Sequence, residues 1–249
     1  MRTIVCMKRV PDSATRVRVT PDGRGLDPAG VKYVVNPYDE FALEDAIRRK
    51  EEAGEGRVTV IALGPPQSVE SIRQALAMGA DEGVLLECDG SHDALPVARA
   101  LADEIRDREY DLVLFGKQAI DDDNMQVPQM VAEFLGLPCA TVVVGLEIDG
   151  IEATARREVE GGHEVLEFRL PAVVSTQKGL NEPRYPSLKG IMAAKRKPLE
   201  QRQVTLSAPT IDFIRLEEPP APAAGRIIGE GSDAVPDLMR ALREEAGVL

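Results

Sequence analysis

Short apolar runs and helix-spaced apolar stripes alternate along the first half of the chain, with polar breaks between them. Residues 3–7 are one such run and suit a strand. The polar stretch that follows carries two turn signals, Pro11-Asp12 and Pro21-Asp22-Gly23, and residues 16–19 alternate as a short strand would. Asn36 and Pro37 then open a helix, asparagine as N-cap and proline in the first turn, with Phe41, Ala42, Ala46 and Ile47 on its inner face. A second strand is predicted at 57–63, ended by Gly64-Pro65-Pro66. Ser68 begins the next helix, which Val69, Ile72, Ala75 and Leu76 line and Gly79 stops. Residues 83–87 read as a strand. Asp93 starts a helix with Leu95, Ala98, Leu101, Ala102 and Ile105 inward, and 111–115 is another buried-type strand. Strand, helix and strand joined by short loops make parallel βαβ units, so the fold class is α/β with a doubly wound, mainly parallel sheet.

The pattern changes past Gly136 and Pro138. Residues 139–146 are a strand, and the alternating runs 152–159 and 164–170 flank Gly161-Gly162 as an antiparallel hairpin. Residues 171–175 can return to the main sheet. The segment 176–198 is polar and basic and reads as a loop. Residues 210–216 suit one strand, 217–222 are an acidic, proline-rich linker, and 233–245 form an amphipathic helix with Val235, Leu238, Met239 and Leu242 on one face. This arm has too little apolar surface to fold by itself, so it must lie on its own domain or on another chain. We take the second reading. The organisation expected is a nucleotide-binding domain at 1–175, a recognition loop at 176–198 and an arm with a helix at 199–249.

One stretch stands out within this frame. Residues 116–129 join the carboxyl end of the 111–115 strand to the helix 129–135, where Met130, Val131, Phe134 and Leu135 fall at helical spacing. Open α/β sheets bind ligands at that edge. Free amides around Pro128 would make a small positive pole suited to a phosphate. Asp121, Asp122 and Asp123 complicate this, because carboxylates repel a phosphate. They either accept backbone N–H bonds, shaping the loop and capping the helix, or hold a cation. In an extended run Asp121 and Asp123 would share a side, which suits a weak Mg²⁺ site; loop shaping is the plainer reading.

Composition narrows the function classes. The 249 residues are 43% hydrophobic with a net charge of -12, which argues against a general nucleic-acid binder. No apolar run approaches the ~20 residues that cross a bilayer, and the first residues suit a strand better than a secretory signal. Cys6, Cys88 and Cys139 are odd in number and far apart, and read as reduced core or near-core residues of a cytoplasmic protein. His92 and His163 are the only histidines and form no triad or zinc motif. Acid–base catalysis by this chain is not expected.

Five motifs carry a resemblance: 7–12 (MKRVPD), 36–40 (NPYDE), 75–81 (ALAMGAD), 116–123 (GKQAIDDD), and 180–185 (LNEPRY) followed by 190–192 (GIM). In this order they resemble the beta subunits of the electron transfer flavoprotein family over nearly the whole chain. The resemblance implies a heterodimer in which an alpha subunit holds the redox FAD and the beta subunit binds an adenine nucleotide, usually AMP. It implies electron transfer from flavin dehydrogenases, such as acyl-CoA dehydrogenases in fatty acid oxidation, to an electron transfer flavoprotein-quinone oxidoreductase. None of this follows from composition or spacing.

Carried over by position, the nucleotide site comprises Cys6, then Asn36, Pro37, Tyr38 and Asp39, then Leu63 and Gly116. The loop adds Gln118, Ala119, Ile120, Asp121, Asp122 and Asp123, followed by Asn124, Met125, Gln126 and Val127. Many AMP-binding members read DDDNNQTG here; Met125, Val127 and Pro128 depart from that. The Gln126-Val127 pair resembles the electron-bifurcating branch, whose beta subunit binds a second FAD, yet Asp122-Asp123-Asn124 departs from that branch's DGDT. AMP is the reading taken, because amides can replace the lost contacts, and a second FAD stays open. The resemblance places partner docking on Leu180, Asn181, Glu182, Arg184, Tyr185, Leu188 and Met192, with Leu188 as the apolar anchor. A different class, a stand-alone ATP- or AMP-binding protein of similar strand–helix pattern, would need a Ser-Gly-Gly-x-Asp-Ser loop after the first strand or a glycine-rich phosphate loop late in the sheet. This chain has Lys8-Arg9-Val10-Pro11-Asp12 at the first place and lacks the second.

Overall fold

A computed structural model describes residues 1–89, 93–221 and 224–249. His92 and Pro222, the last residue of the proline-rich linker, lie outside the described residues. In chain order come β1 (Arg2–Met7), β2 (Arg9–Pro11), β3 (Tyr33–Val35), α1 (Pro37–Ala53), β4 (Arg57–Gly64), α2 (Val69–Met78), β5 (Glu82–Glu87), α3 (Ala94–Arg106) and β6 (Leu112–Gly116). Then follow α4 (Val127–Leu135), β7 (Cys139–Asp149), β8 (Glu152–Val159), β9 (Gly162–Arg169), β10 (Ala172–Thr176), α5 (Leu188–Ala194), β11 (Leu199–Gln203) and α6 (Val235–Arg240).

Nine strands make one sheet in the order β11-β5-β4-β1-β6-β10-β7-β8-β9, with β2 and β3 as a separate antiparallel pair. The strands from β11 to β7 run parallel, and β8 and β9 add an antiparallel extension. The α/β reading therefore holds. Alternation explains the layers. Val5 and Met7 of β1 pack with Leu43 and Ile47 of α1 and Ile72 and Leu76 of α2. Ile4 and Cys6 face the opposite side, with Leu101 and Ile105 of α3 and Val131 of α4. Strands covered on both faces are mostly apolar, which is why β1, β4 and β6 read as near-continuous runs, broken only by residues such as Thr3 and Thr59.

The crossover pattern fixes where a ligand fits. From β1 the chain winds through β4 to β5, then returns through α3 to β6 on the other side of β1. The connection leaving β1 enters α1 on one face; the connection leaving β6 enters α4 on the other. The crevice between the carboxyl ends of β1 and β6 is thus a topological switch point.

Several local expectations change. Residues 16–19 form only an isolated bridge, Val19 to Leu26. Residues 210–216 make no strand; Thr210 is held by Asp93 and Leu216 by the Gly23 carbonyl, and Ile214 stays 90% exposed. The 176–198 loop contains α5, and β11 extends the sheet within the segment read as an arm. Its sequence, LEQRQ, is mostly polar because an edge strand has little apolar surface to bury. Cys6 and Cys88 are buried, but Cys139, the first residue of β7 beyond Pro138, is exposed.

Met1–Leu216 form one compact unit and Glu217–Leu249 another. In the second, the helix expected at 233–245 is a 3-10 turn (Ser232–Ala234), α6 and a π turn (Ala241–Glu245), closed by an Arg226–Glu245 ion pair. Val235 and Leu238 are exposed. Among the described residues no helix is long and apolar enough to cross a membrane.

Candidate functional site

Asp39 organises the crevice. It sits in the first turn of α1, buried, and its carboxylate accepts from the Lys8 N–H at 2.8 Å, the Gly116 N–H at 3.0 Å and Asn36 Nδ2 at 2.9 Å. One side chain therefore ties the ends of β1 and β6 to the start of α1. Gly116 permits this approach: a Cβ there would collide with the Asp39 carboxylate and lie 2.6 Å from the Tyr38 carbonyl carbon. Thr176 Oγ1, at the end of β10, closes the same corner by donating to the Phe115 carbonyl at 3.1 Å and sits 3.2 Å from the Tyr38 carbonyl.

Burial pushes the Asp39 carboxyl up to about 7, against the pull of its three donors and of Lys8. With the folded value above the ordinary 3.8, its contribution to stability is complete below the unfolded value and is lost as pH rises through about 7. The melting temperature of the wild type should therefore fall toward that of Asp39→Asn between pH 4 and 8, at about 2–4 °C per kcal/mol for a chain of this size. A constant difference across that range would contradict the titration of Asp39.

Asn36 is the N-cap of α1 by position, but its side chain does not cap. It reaches across the crevice instead, donating to the Gln118 carbonyl at 2.8 Å and accepting from the Ile120 N–H at 3.2 Å. This fixes the start of the loop after β6. Further on, the Asp123 N–H bonds to the Ala119 carbonyl at 2.9 Å, Gln118 Nε2 donates to the Asp123 carboxylate, and Gln129 Nε2 donates to the Met125 carbonyl at 2.8 Å.

The three aspartates divide their work. Asp121 and Asp122 each accept from Lys8 Nζ at 2.9 Å, while Asp123 turns to Gln118. The run is not extended: residues 120–122 make a turn closed by the Asp123 N–H on the Ala119 carbonyl at 2.9 Å, and Asp123 lies at φ 50°. Nor do the aspartates cap α4: its N-cap is Gln126, with no side-chain cap, and Pro128 lies in its first turn. The first amides of α4 are thus left without a side-chain cap. Among the described residues no group of three His, Cys, Asp or Glu side chains is placed to hold a metal ion.

Of the remaining sequence-predicted residues, Cys6 is buried near the end of β1, Leu63 is half-buried near the end of β4, and Pro37 is exposed. Tyr38 lies with its ring centroid 4.9 Å from Lys117 Nζ. Beside the loop, a cleft of about 670 Å³ opens between Pro11, Tyr38, Phe41, Ile120, Asp121 and Lys178. Sequence reasoning missed the roles of Lys8 and Thr176. Lys8 stood within a quoted motif directly after a strand, which was signal enough to place it at the crevice but not to pair it.

The second predicted region separates into anchors and an exposed face. Leu180 packs against the core, and Asn181 Nδ2 donates to the Phe41 carbonyl at 2.9 Å. Arg184 clasps α1, donating to Glu44 at 2.8 and 3.0 Å and to Glu51 at 2.7 and 2.9 Å. Those residues hold the segment down. Ser187 caps α5 by accepting from the Gly190 N–H at 3.0 Å, and Gly190 lies so close to α2 that a Cβ would strike the Ala77 carbonyl. With that face committed, Tyr185, Leu188 and Met192 point outward at 96%, 84% and 65% exposure, beside exposed Glu182. Arg184→Ala should cost about 3 kcal/mol, because it leaves the buried Glu44 carboxylate without its guanidinium. A thermal melt unchanged from wild type would show that the clasp contributes nothing.

This fold defines a class: a doubly wound α/β protein with a structured loop at its topological switch point. The model of the electron transfer flavoprotein domain matches residues 25–207. The chain is 41% identical to the electron transfer flavoprotein subunit beta of Bradyrhizobium diazoefficiens, over all of both chains. It is 39% identical to the subunit beta of Bacillus subtilis, again over all of both, and 41% identical to that of Sus scrofa over 98% of this chain and 97% of the relative. The chain belongs to the electron transfer flavoprotein family and is similar throughout to its beta subunits. A beta subunit implies an alpha partner, and subunits of this kind are carriers of electrons rather than catalysts.

Proposed function

We propose that the chain is the half of a cytoplasmic electron transfer flavoprotein heterodimer that holds AMP and docks the electron donor. The observation that carries the nucleotide reading is the loop at the switch point. It is stitched by Asn36 and Asp39 and ends at an uncapped helix N-terminus, with two of its carboxylates drawn onto Lys8. The residues present fit a monophosphate. Gly116 leaves room for close packing of the backbone, amides ahead of α4 take the phosphate, and Gln126 and Val127 stand at that pole. A second phosphate would have to face the negative charge left on Asp121 to Asp123, which supports AMP over a second FAD. The AMP has no redox part; it fills a polar cleft and stabilises the fold by mass action.

FAD, held mainly by the alpha subunit, carries the electrons. This chain supplies no acid or base to that step. Its outward face at Tyr185, Leu188 and Met192 suits a brief encounter with acyl-CoA or other flavin dehydrogenases, since electron-transfer interfaces are small and weak. Electrons then pass to an electron transfer flavoprotein-quinone oxidoreductase. The second unit, with exposed Val235 and Leu238, suits packing on the alpha subunit. Mass spectrometry of the nucleotide released from the purified heterodimer tests the central part: AMP supports it, and FAD released from this chain overturns it.

A further inference from the structure

The loop after β6 takes two left-handed backbone positions. Asp123 and Met125 lie at φ 50° and 54°. A left-handed backbone costs a residue such as Met125 about 1–2 kcal/mol, and aspartate less, because its short side chain can bond locally. Three consecutive carboxylates add mutual repulsion. The contacts from Asn36, Gln118 and Gln129 restrain the backbone but bring no positive charge. The charge comes from the other side of the crevice. Lys8 directly follows β1, and its own N–H is fixed on Asp39 at 2.8 Å, so the strand end aims its side chain at the loop. Its ammonium spans Asp121 and Asp122 at 2.9 Å each.

We propose that Lys8 is a positioning residue for nucleotide binding, clamping Asp121 and Asp122 so that the amides ahead of α4 stay presented to the phosphate. The inference rests on the nucleotide reading above and assigns Lys8 no contact with the ligand. Its ammonium is already divided between two carboxylates. Without it, the aspartates are free to turn toward the anion, and the strained turn at Asp123 and Met125 relaxes. The clamp explains how a seat for an anion tolerates three carboxylates: Lys8 offsets one of their charges and holds Asp121 and Asp122 on itself.

The test uses the intact heterodimer with Lys8→Met, Lys8→Arg, the pair Asp121→Asn with Asp122→Asn, and the triple variant. AMP affinity is measured by calorimetry after nucleotide is stripped and reloaded, and amide hydrogen exchange is followed through residues 117–126. Lys8→Met should weaken AMP by at least about tenfold and speed exchange in the loop, leaving the flavin spectrum and exchange elsewhere unchanged. Lys8→Arg should retain binding, and the triple variant should recover most of what Lys8→Met loses. Unchanged affinity in Lys8→Met overturns the proposal. So does a triple variant as weak as Lys8→Met, because Lys8 would then be touching the ligand itself. If the wild-type heterodimer takes up no AMP, the nucleotide reading fails. Loop exchange still decides the clamp, and unchanged exchange in Lys8→Met removes it.

Discussion

Replacing Leu188 by alanine is expected to raise the dehydrogenase concentration needed for half-maximal electron transfer by about ten- to hundredfold, with the flavin spectrum unchanged. Leu188 begins α5 and is 84% exposed, so the fold does not depend on it. It is nonetheless held in place, because Ser187 caps the helix and Gly190 seats it on α2. With its backbone position set, only the side chain must order when a partner buries it, and full burial contributes ~1.5–3 kcal/mol. In a small, transient interface one such anchor governs affinity. The melting temperature of the variant should match wild type. Unchanged kinetics at limiting dehydrogenase would remove the docking role from Leu188.

Gly116→Ala should have the largest effect on the nucleotide site. The added methyl has nowhere to go: it meets the Asp39 carboxylate, the Tyr38 carbonyl carbon at 2.6 Å and the Asp39 nitrogen at 2.7 Å. Two of those neighbours are backbone, so a rotamer change cannot relieve the clash. Either β6 or the first turn of α1 must move, which breaks the bonds from Asp39 to the Gly116 and Lys8 amides. Overpacking of this kind costs about 3 kcal/mol, or ~6–12 °C in melting temperature, and the bound nucleotide should be lost. Gly25→Ala is the control, since nothing lies within 4 Å of its Cβ position. A Gly116→Ala heterodimer that keeps its nucleotide and its melting temperature would show that the corner is not built as described.

What the sequence made legible followed from burial. β1, β4 and β6 are covered on both faces and so are mostly apolar; the rule that ligands bind at carboxyl strand ends singles out residues 116–129, and the structure sets that loop beside the end of β1. β11 escaped notice because an edge strand of LEQRQ buries little, and α5 because seven residues between prolines and lysines carry no helical stripe. Pro37 beside it marks Asn36 as a cap, yet its partners, Gln118 and Ile120, lie 82 and 84 residues away. Lys8 finds Asp121 across 113 residues only because β6 is laid beside β1. Such contacts depend on strand order, which local patterns do not encode. Arg184 and Asn181, expected at a partner surface, turn inward for the same reason: α1 offers them Glu44, Glu51 and the Phe41 carbonyl.

The most direct measurement is the flavin-to-protein ratio of the intact heterodimer, taken as purified and again after saturation with FAD. Both nucleotide readings place a phosphate at the amides before α4, and they differ in what lies beyond it. AMP ends there. A second FAD would have to extend another phosphate and a flavin beyond it, past the negative charge of Asp122, which shares Lys8 with Asp121. The account predicts a single FAD per heterodimer before and after saturation, with AMP released from this chain in equal amount. Two tightly held flavins, one of them bound by this chain, would contradict it and make electron bifurcation the function to explain.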